Sequence, residues 1–126
     1  MDKKIKILAV DDDSHIRDII FVYLDSLGYE VDIAVSGEEA LELFDENEYD
    51  LVITDIKMPG MSGVDLADEI FKRDFEGGII FMTGFLGEYS EEMVLSLGID
   101  AYLKKPFGME LLGKITNSVL KKKNLV

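Results

Sequence analysis

The feature that most constrains the fold of this chain is a set of four short, largely apolar runs, each followed directly by polar residues. The runs cover residues 7–10, 51–54, 79–82 and 101–103, and they lead into Asp11 and Asp12, Asp55, Thr83, and Lys104 and Lys105. If the runs are parallel strands, their carboxyl ends share one edge of a sheet, so carboxylates, a hydroxyl and an ammonium converge there. Phosphoryl-transfer sites are built from these groups.

Strand and helix patterns alternate along the whole sequence, without an internal repeat or a Pro/Gly/Ser linker. Apolar periodicity predicts strands near residues 5–10, 30–35, 50–55, 78–83 and 100–104, with a helix after each. Ser36, Ser62 and Ser90 are predicted to begin the second, third and fourth helices, Ser36 as the first residue of an S-x-x-E capping box. Gly28 predicts the end of the first helix, and the fifth is expected to begin near Gly108.

Each of these helices has one apolar face that we expect to pack against the sheet. The predicted inward residues are Ile16, Ile20, Tyr23, Leu24 and Leu27 in the first helix, Ala40, Leu41 and Phe44 in the second, Val64, Ala67, Ile70 and Phe71 in the third, and Leu111, Leu112, Ile115 and Val119 in the fifth. These residues, with the strands, provide one buried core.

The pattern predicts an α/β fold, a doubly wound five-stranded parallel sheet with five helices on its two faces. Residues 1–126 are expected to form a single domain, because the chain is long enough for one core and too short for two. For a strand order of 2-1-3-4-5 the order reverses between strands 1 and 3, where Asp11, Asp12 and Asp55 lie. The convergence of acids there favours that order.

Charge and composition exclude several function classes. With 26 acidic and 13 basic residues the formal net charge is -13, so direct binding of nucleic acid is not expected. The chain has no cysteine, which removes disulfide, thiolate and zinc-thiolate chemistry. The sequence shows no signal peptide and no apolar run of membrane-spanning length, so we expect a cytoplasmic protein without membrane insertion.

The carboxylates at the predicted sheet edge call for a cation, because like charges at close range repel strongly. Oxygen ligands favour Mg²⁺, or alternatively Mn²⁺, over zinc or copper. A carboxylate can then serve as a nucleophile towards phosphorus, while Lys105 and Thr83 bind phosphoryl oxygens. Lys105 is expected to point into the site instead of Lys104, because side chains alternate along a strand.

Four motifs at these strand ends resemble the receiver domain of two-component response regulators, a flavodoxin-like fold. They are Asp11-Asp12, residues 55–60 (DIKMPG), Thr83-Gly84 and residues 105–107 (KPF), and the resemblance covers essentially the whole chain. It implies that Asp55 accepts a phosphoryl group from a histidine kinase or phosphotransfer protein. It further implies a signalling module whose only catalysis is its own phosphorylation and dephosphorylation. Its partner would be a downstream protein or output domain, and phosphorylation could link two copies into a dimer.

The resemblance also assigns roles residue by residue. It makes Asp12 and Asp55 direct metal ligands with the backbone carbonyl of Lys57, and Asp11 a supporting or direct ligand. Thr83 and Tyr102 become a switch pair, and Lys105 binds a phosphoryl oxygen before a cis bond to Pro106. The stripe that His15, Ile19, Val22 and Ser26 form beside the core face of the first helix has two interpretations, a docking surface for a kinase helix or packing at the edge of the core. The apolar segment 85–89 is a candidate output surface or, alternatively, a cover over the fourth helix.

Two other functions use similar parts. A haloacid-dehalogenase-type phosphatase would take Asp11 as nucleophile and Asp13 as acid, but it would leave Asp55 without a role. A flavodoxin-like cofactor binder needs a phosphate-cradling loop after strand 1, where this chain has acids instead. Neither alternative uses all four strand ends, so the receiver is the preferred prediction.

Overall fold

A computed structural model describes residues 4–84 and 90–126 of the chain. Five strands alternate with five helices, as the sequence predicts. In chain order they are β1 (Lys6–Val10), α1 (Ser14–Ser26), β2 (Glu30–Ala34), α2 (Gly37–Glu46), β3 (Leu51–Asp55), α3 (Gly63–Phe71), β4 (Gly78–Thr83), α4 (Glu91–Ser96), β5 (Ala101–Lys104) and α5 (Met109–Lys122). Among the described residues, no helix is both long and apolar enough to cross a membrane.

The five strands form one parallel sheet in the order β2-β1-β3-β4-β5, which confirms the predicted order. Val10 pairs with Thr54 where β1 meets β3, so the chain leaves both strands side by side at Asp11 and Asp55. At the other side of β3, Thr83 of β4 pairs with Lys104 of β5. The register therefore brings the four polar strand ends to one edge of the sheet.

Each face of the sheet has its own apolar core, because alternate strand residues point to opposite faces. One core contains Val52 and Phe81 and packs against α2, α3 and α4. The other contains Ile53 and Ile80 and packs against α1 and α5. The central strands β3 and β4 are buried along their whole length, as strands covered on both faces require.

Three residues that the helical pattern predicts to be buried are exposed instead. Leu27 and Leu111 are each 47% exposed and Phe71 is 37% exposed. Leu27 lies just beyond the last residue of α1. In α3 the buried residues form an i, i+3, i+4, i+7 set of Gly63, Leu66, Ala67 and Ile70. This set places Phe71 at the rim of the buried face, and it includes Leu66, which the prediction omitted.

The predicted helix ends are confirmed at several positions. Ser62 and Asp65 form a complete capping box at the start of α3. Ser36 caps α2 by accepting from the Glu39 N–H at 3.1 Å, but the Glu39 carboxylate accepts from the Val35 N–H at 3.3 Å, one residue earlier than a capping box requires. Gly28 follows α1 with a φ of 94°, the left-handed conformation that glycine adopts without strain.

Candidate functional site

Three carboxylates meet at the carboxyl edge of the sheet, where β1 and β3 end. One oxygen from each of Asp11, Asp12 and Asp55 can be chosen so that all three lie within 4.8 Å of one another. Asp11 and Asp55 are buried, whereas Asp12 is exposed. The site therefore has two fixed carboxylates at its base and a third at its opening.

Asp11 is held by hydrogen bonds on both sides of its carboxylate. Its Oδ1 accepts from the Asp13 N–H at 2.9 Å, and its Oδ2 accepts from Lys105 Nζ at 2.7 Å. Its backbone N–H donates to the Ala34 carbonyl of β2 at 3.2 Å. These bonds fix the orientation of a carboxylate that is only 1% exposed.

Lys105 bridges the ends of three strands. Its Nζ lies 3.3 Å from Asp55 Oδ2 as well as 2.7 Å from Asp11 Oδ2, and its backbone N–H donates to the Thr83 carbonyl at 2.7 Å. The Lys105-Pro106 bond is cis, as the family resemblance implied. Lys104 is exposed, so the structure places Lys105 and not Lys104 in the carboxylate cluster.

The cluster carries more negative than positive charge. Burial raises the pKa of the Asp55 carboxyl above its ordinary value, the Lys105 charge opposes that increase, and the Asp11 charge adds to it. Burial acts to lower the pKa of Lys105, but hydrogen bonds and charge interactions with Asp11 and Asp55 outweigh burial and raise it. One ammonium thus serves two buried carboxylates, and a third lies beside them.

The donor set fits a hard divalent cation. All the ligating atoms that the cluster offers are carboxylate oxygens, which suit Mg²⁺ or Mn²⁺. Within residues 4–84 and 90–126 the Asp12 carboxylate makes no hydrogen bond or ion pair, so it is available as a ligand. Lys57 is exposed in the loop between β3 and α3, two residues beyond Asp55.

The two predicted switch residues lie on the neighbouring strands. Thr83 is the last residue of β4 and is 1% exposed. Tyr102 is half-buried on β5, where it pairs with Phe81 and packs against the core beneath α2, α3 and α4. The candidate output segment 85–89 lies outside the described residues.

A glycine positions the loop that follows Asp55. The Gly63 N–H donates to the Ile56 carbonyl at 2.7 Å, which brings the first residue of α3 against the end of β3. A Cβ at Gly63 would overlap the Asp55 backbone carbonyl. Only glycine fits here without displacing the backbone of Asp55.

An apolar groove begins beside Lys105 and runs along α1. A cavity of about 460 Å³ is lined by Ile16, Ile19, Ile20, Gly84, Lys105, Pro106, Phe107 and Met109. A second cavity of about 460 Å³ shares Ile19 and Met109 and extends to Val22 and Ser26. Ile19 is 48% exposed and Val22 is 65% exposed, so the predicted docking stripe forms one wall of a groove that ends at the site.

Sequence reasoning missed one residue next to the cluster, Arg17 of α1. Its Nη1 donates to the Asp11 backbone carbonyl at 2.8 Å. Hydrophobic periodicity does not predict such a contact, because the contact depends on the direction of a loop carbonyl. The only signal is a cation in the first turn of a helix that follows three consecutive acids.

Comparison with known proteins agrees with this geometry. Residues 7–117 match the family model described as the response regulator receiver domain. The regulatory protein VanRB of Enterococcus faecalis is 37% identical over 118 residues, which cover 94% of this chain and 53% of that protein. The chain spans about half the length of the curated relatives that it matches.

Solved structures resemble the chain over nearly its full length. A CheY-like receiver domain protein from Methanospirillum hungatei is 33% identical with a TM-score of 0.88, covering 97% of this chain and 98% of that one. The response regulator protein TrrA from Thermotoga maritima, solved in complex with Mg²⁺-BeF, is 39% identical with a TM-score of 0.81, covering 92% and 99%. These similarities extend to both sequence and fold.

Proposed function

The chain belongs to the family of response regulator receiver domains, and on that basis we propose that Asp55 accepts a phosphoryl group from a phosphohistidine. The donor is a histidine kinase or a phosphotransfer protein. The observation that carries the proposal is the position of Asp55, a buried carboxylate bonded to Lys105 and clustered with Asp11 and Asp12.

The transfer exchanges one bond to phosphorus for another. An Asp55 carboxylate oxygen forms a bond to phosphorus while the phosphorus–nitrogen bond of the phosphohistidine breaks, and the bonding electrons leave with the imidazole nitrogen. The Lys105 ammonium, 3.3 Å from Asp55 Oδ2 before transfer, binds a phosphoryl oxygen afterwards. Thr83 donates its hydroxyl to another phosphoryl oxygen.

A divalent cation would balance the surplus negative charge of this site. Asp12, Asp55 and the Lys57 backbone carbonyl would hold Mg²⁺, with Asp11 in support. When bound, Mg²⁺ neutralises carboxylate charge and draws electron density from the phosphoryl oxygens. The Asp11 contacts with Asp13 and Lys105 hold the base of the site in place before transfer.

Phosphorylation then acts as a conformational signal. The new group adds negative charge and acceptor oxygens at the end of β3, and Thr83 and Lys105 are the donors that respond. A shift of Thr83 leaves space behind β4 for the Tyr102 ring, which changes the surface that β5 and its neighbours present to an output domain or partner protein. Catalysis by the chain is limited to its own phosphorylation and dephosphorylation.

The groove along α1 is the proposed docking site for the donor protein. It is apolar, it is exposed at Ile19 and Val22, and it ends at Lys105. A helix of the donor laid in this groove would bring its phosphohistidine to the open side of the site.

The phosphatase alternative is not favoured. Asp13 would have to act as the acid, yet its carboxylate caps α1 by accepting from the His15 N–H at 2.9 Å. Asp55 would again lack a role at the point where the register places it beside Asp11.

A direct test of the acceptor site uses beryllium fluoride, which substitutes for a phosphoryl group, together with Mg²⁺. The TrrA structure contains both. The native chain should show a higher thermal unfolding temperature with Mg²⁺ and beryllium fluoride together than with either alone. Asp55→Asn should show no such increase. An equal increase in Asp55→Asn, or none in the native chain, would contradict the proposal.

A further inference from the structure

Arg17 makes a contact for which the assigned roles of the site do not account. Its guanidinium Nη1 donates a 2.8 Å hydrogen bond to the backbone carbonyl of Asp11, six residues earlier. The guanidinium forms no salt bridge with any residue that the structure describes. The contact is therefore directed at the backbone of the acidic loop and not at a carboxylate.

The location of Arg17 is unfavourable for the helix itself. α1 begins at Ser14, so Arg17 lies in its first turn, near the positive end of the helix dipole. A cation at this end of a helix lowers helix stability unless neighbouring anions offset the repulsion. The acidic residues Asp11, Asp12 and Asp13 are such anions. Support for α1 alone does not explain an arginine at this position.

The carbonyl that Arg17 binds belongs to the peptide between Asp11 and Asp12. That peptide is planar, so fixing its carbonyl direction also fixes the backbone nitrogen and Cα of Asp12. The Asp12 carboxylate has no hydrogen-bond or ion-pair partner among the described residues, so its direction depends on its backbone. Arg17 thus acts on the most exposed member of the cluster through the neighbouring peptide.

Asp11 depends on Arg17 for its last hydrogen bond. Its N–H, Oδ1 and Oδ2 are bonded to Ala34, Asp13 and Lys105, and Arg17 binds the remaining polar group, the carbonyl. Because Asp11 is only 1% exposed, a carbonyl without Arg17 would be left buried and unsatisfied, or the peptide would rotate towards water.

We propose that Arg17 is a positioning residue that holds the Asp11–Asp12 peptide so that Asp12 points into the cation site. This inference rests on the proposed function, since it assigns a role within the same site. Loss of the guanidinium rotates the peptide and misplaces Asp12, which weakens binding of a divalent cation.

The direction of the change in affinity distinguishes positioning from simple charge screening. If Arg17 acted only as a nearby positive charge, its removal would strengthen Mg²⁺ binding, because a cation repels a cation. Positioning predicts the opposite, a dissociation constant for Mg²⁺ that rises roughly three- to tenfold in Arg17→Ala, the size expected for one lost hydrogen bond. Arg17→Lys, which retains a donor and the charge, should recover part of the loss.

Arg73 provides a control for the loss of an arginine charge, although, unlike Arg17, it also forms ion pairs with Asp45 and Glu69. Its Nη1 also donates to a backbone carbonyl, that of Glu69 at 2.9 Å, and its substitution removes the same charge away from the cluster. Arg73→Ala should leave the Mg²⁺ dissociation constant within about twofold of the native value. An equal change in Arg17→Ala and Arg73→Ala, or tighter Mg²⁺ binding in Arg17→Ala, would overturn the inference.

Two further measurements separate a positioning role from a general loss of structure and from a loss of phosphoryl transfer. In the metal-free protein, the Asp13 amide, which donates to Asp11 Oδ1, should exchange hydrogen faster in Arg17→Ala than in the native chain. At saturating Mg²⁺, labelling of Arg17→Ala by acetyl phosphate should return to within about twofold of the native rate, because only ligand placement is impaired. Unchanged Asp13 exchange, or labelling that Mg²⁺ does not restore, would contradict a positioning role. A native chain that neither binds Mg²⁺ nor becomes labelled would instead contradict the proposed function.

Discussion

Lys105 and Asp11 lie 94 residues apart in sequence, yet Lys105 Nζ donates a 2.7 Å hydrogen bond to Asp11 Oδ2 at the edge of the sheet. The same ammonium lies 3.3 Å from Asp55 Oδ2, so it links the buried carboxylates of β1 and β3. A cation that bridges two anions lowers their repulsion without abolishing it. The chain therefore stores unfavourable charge at the place where it is proposed to bind Mg²⁺ and a phosphoryl group.

Asp55→Asn should stabilise the metal-free protein. The folded-state pKa of Asp55 is raised, first by burial and then by the Asp11 charge, so the folded protein holds this proton more tightly than the unfolded chain does. The free energy of unfolding of the native chain should fall, relative to that of Asp55→Asn, as the pH rises above the ordinary value of 3.8 and through the raised folded-state pKa. Thermal unfolding of both proteins in chelator between pH 3.5 and about 7 measures the difference.

Asp45→Asn is a control in which the change in stability should have the opposite sign. The hydrogen bond from Arg73 lowers the pKa of Asp45, so the stability that the carboxylate contributes is present above its ordinary value of 3.8 and is lost as the pH falls through the lowered pKa. At neutral pH this variant should be slightly destabilised, while Asp55→Asn is stabilised. The same sign for both variants would contradict the account of the Asp55 environment.

Thr116→Val should raise the unfolding temperature. The Thr116 hydroxyl on α5 is fully buried and has no hydrogen-bond partner among the described residues. Replacing it with a methyl group removes an unsatisfied polar group at constant shape, worth about 1 kcal/mol. For a domain of this size that corresponds to about 3 to 5 °C by calorimetry.

Thr54→Val is the matched control, because Thr54 is equally buried but its Oγ1 donates to the Asp55 carbonyl at 2.9 Å. Loss of that satisfied bond should lower the unfolding temperature. A destabilised Thr116→Val would show that its hydroxyl has a partner in solution.

Ile19→Asp should slow phosphotransfer from a kinase without slowing labelling by acetyl phosphate. The substitution places a charge in the apolar groove that we propose for donor docking, and a loss of about 1.4 kcal/mol of binding corresponds to a tenfold slower transfer below saturation. Leu111→Asp is the control, since Leu111 is 47% exposed on α5 and Ile19 is 48% exposed on α1. Equal slowing with both donors, or in both variants, would refute the docking role of the groove.

Thr83→Ala should separate phosphorylation from its structural consequence. In Thr83→Ala, which lacks the Thr83 hydroxyl, Asp55 should still be labelled by acetyl phosphate. The NMR signals of the Tyr102 ring, however, should shift little when Mg²⁺ and acetyl phosphate are added. Thr83→Ser, which retains the hydroxyl, should shift them as the native chain does. If Tyr102 responds fully in Thr83→Ala, the two residues do not form a switch pair.

The architecture and the convergence of the site were predictable because both follow from strand ends. Apolar runs mark the strands, and parallel pairing of Val10 with Thr54 necessarily delivers Asp11 and Asp55 to the same edge. The acids that follow the first two runs therefore pointed to the cluster, and after the last run the alternation of strand side chains selected Lys105 over Lys104. The convergence of the acids favoured the strand order 2-1-3-4-5 without requiring it, and the structure confirms that order.

Details that depend on tertiary contacts were not predictable. Phe71 and Leu111 satisfy the helical period but lie at the rims of their buried faces, where neighbouring elements decide what is covered. The omission of Leu66 has a different cause: it is fully buried and fits the helical period of α3, so the pattern itself should have included it. Arg17 acts through the Asp11 carbonyl, and the direction of a loop carbonyl leaves no trace in residue pattern.

Intact-mass measurement after incubation with Mg²⁺ and acetyl phosphate tests whether Asp55 is the phosphoryl acceptor. The native chain should gain the mass of one phosphoryl group, and Asp55→Asn should gain none. Retention of the label in Asp55→Asn, as a phosphatase using Asp11 would show, would refute the assignment of Asp55. So would a native chain that stays unlabelled while a known receiver domain is labelled under the same conditions.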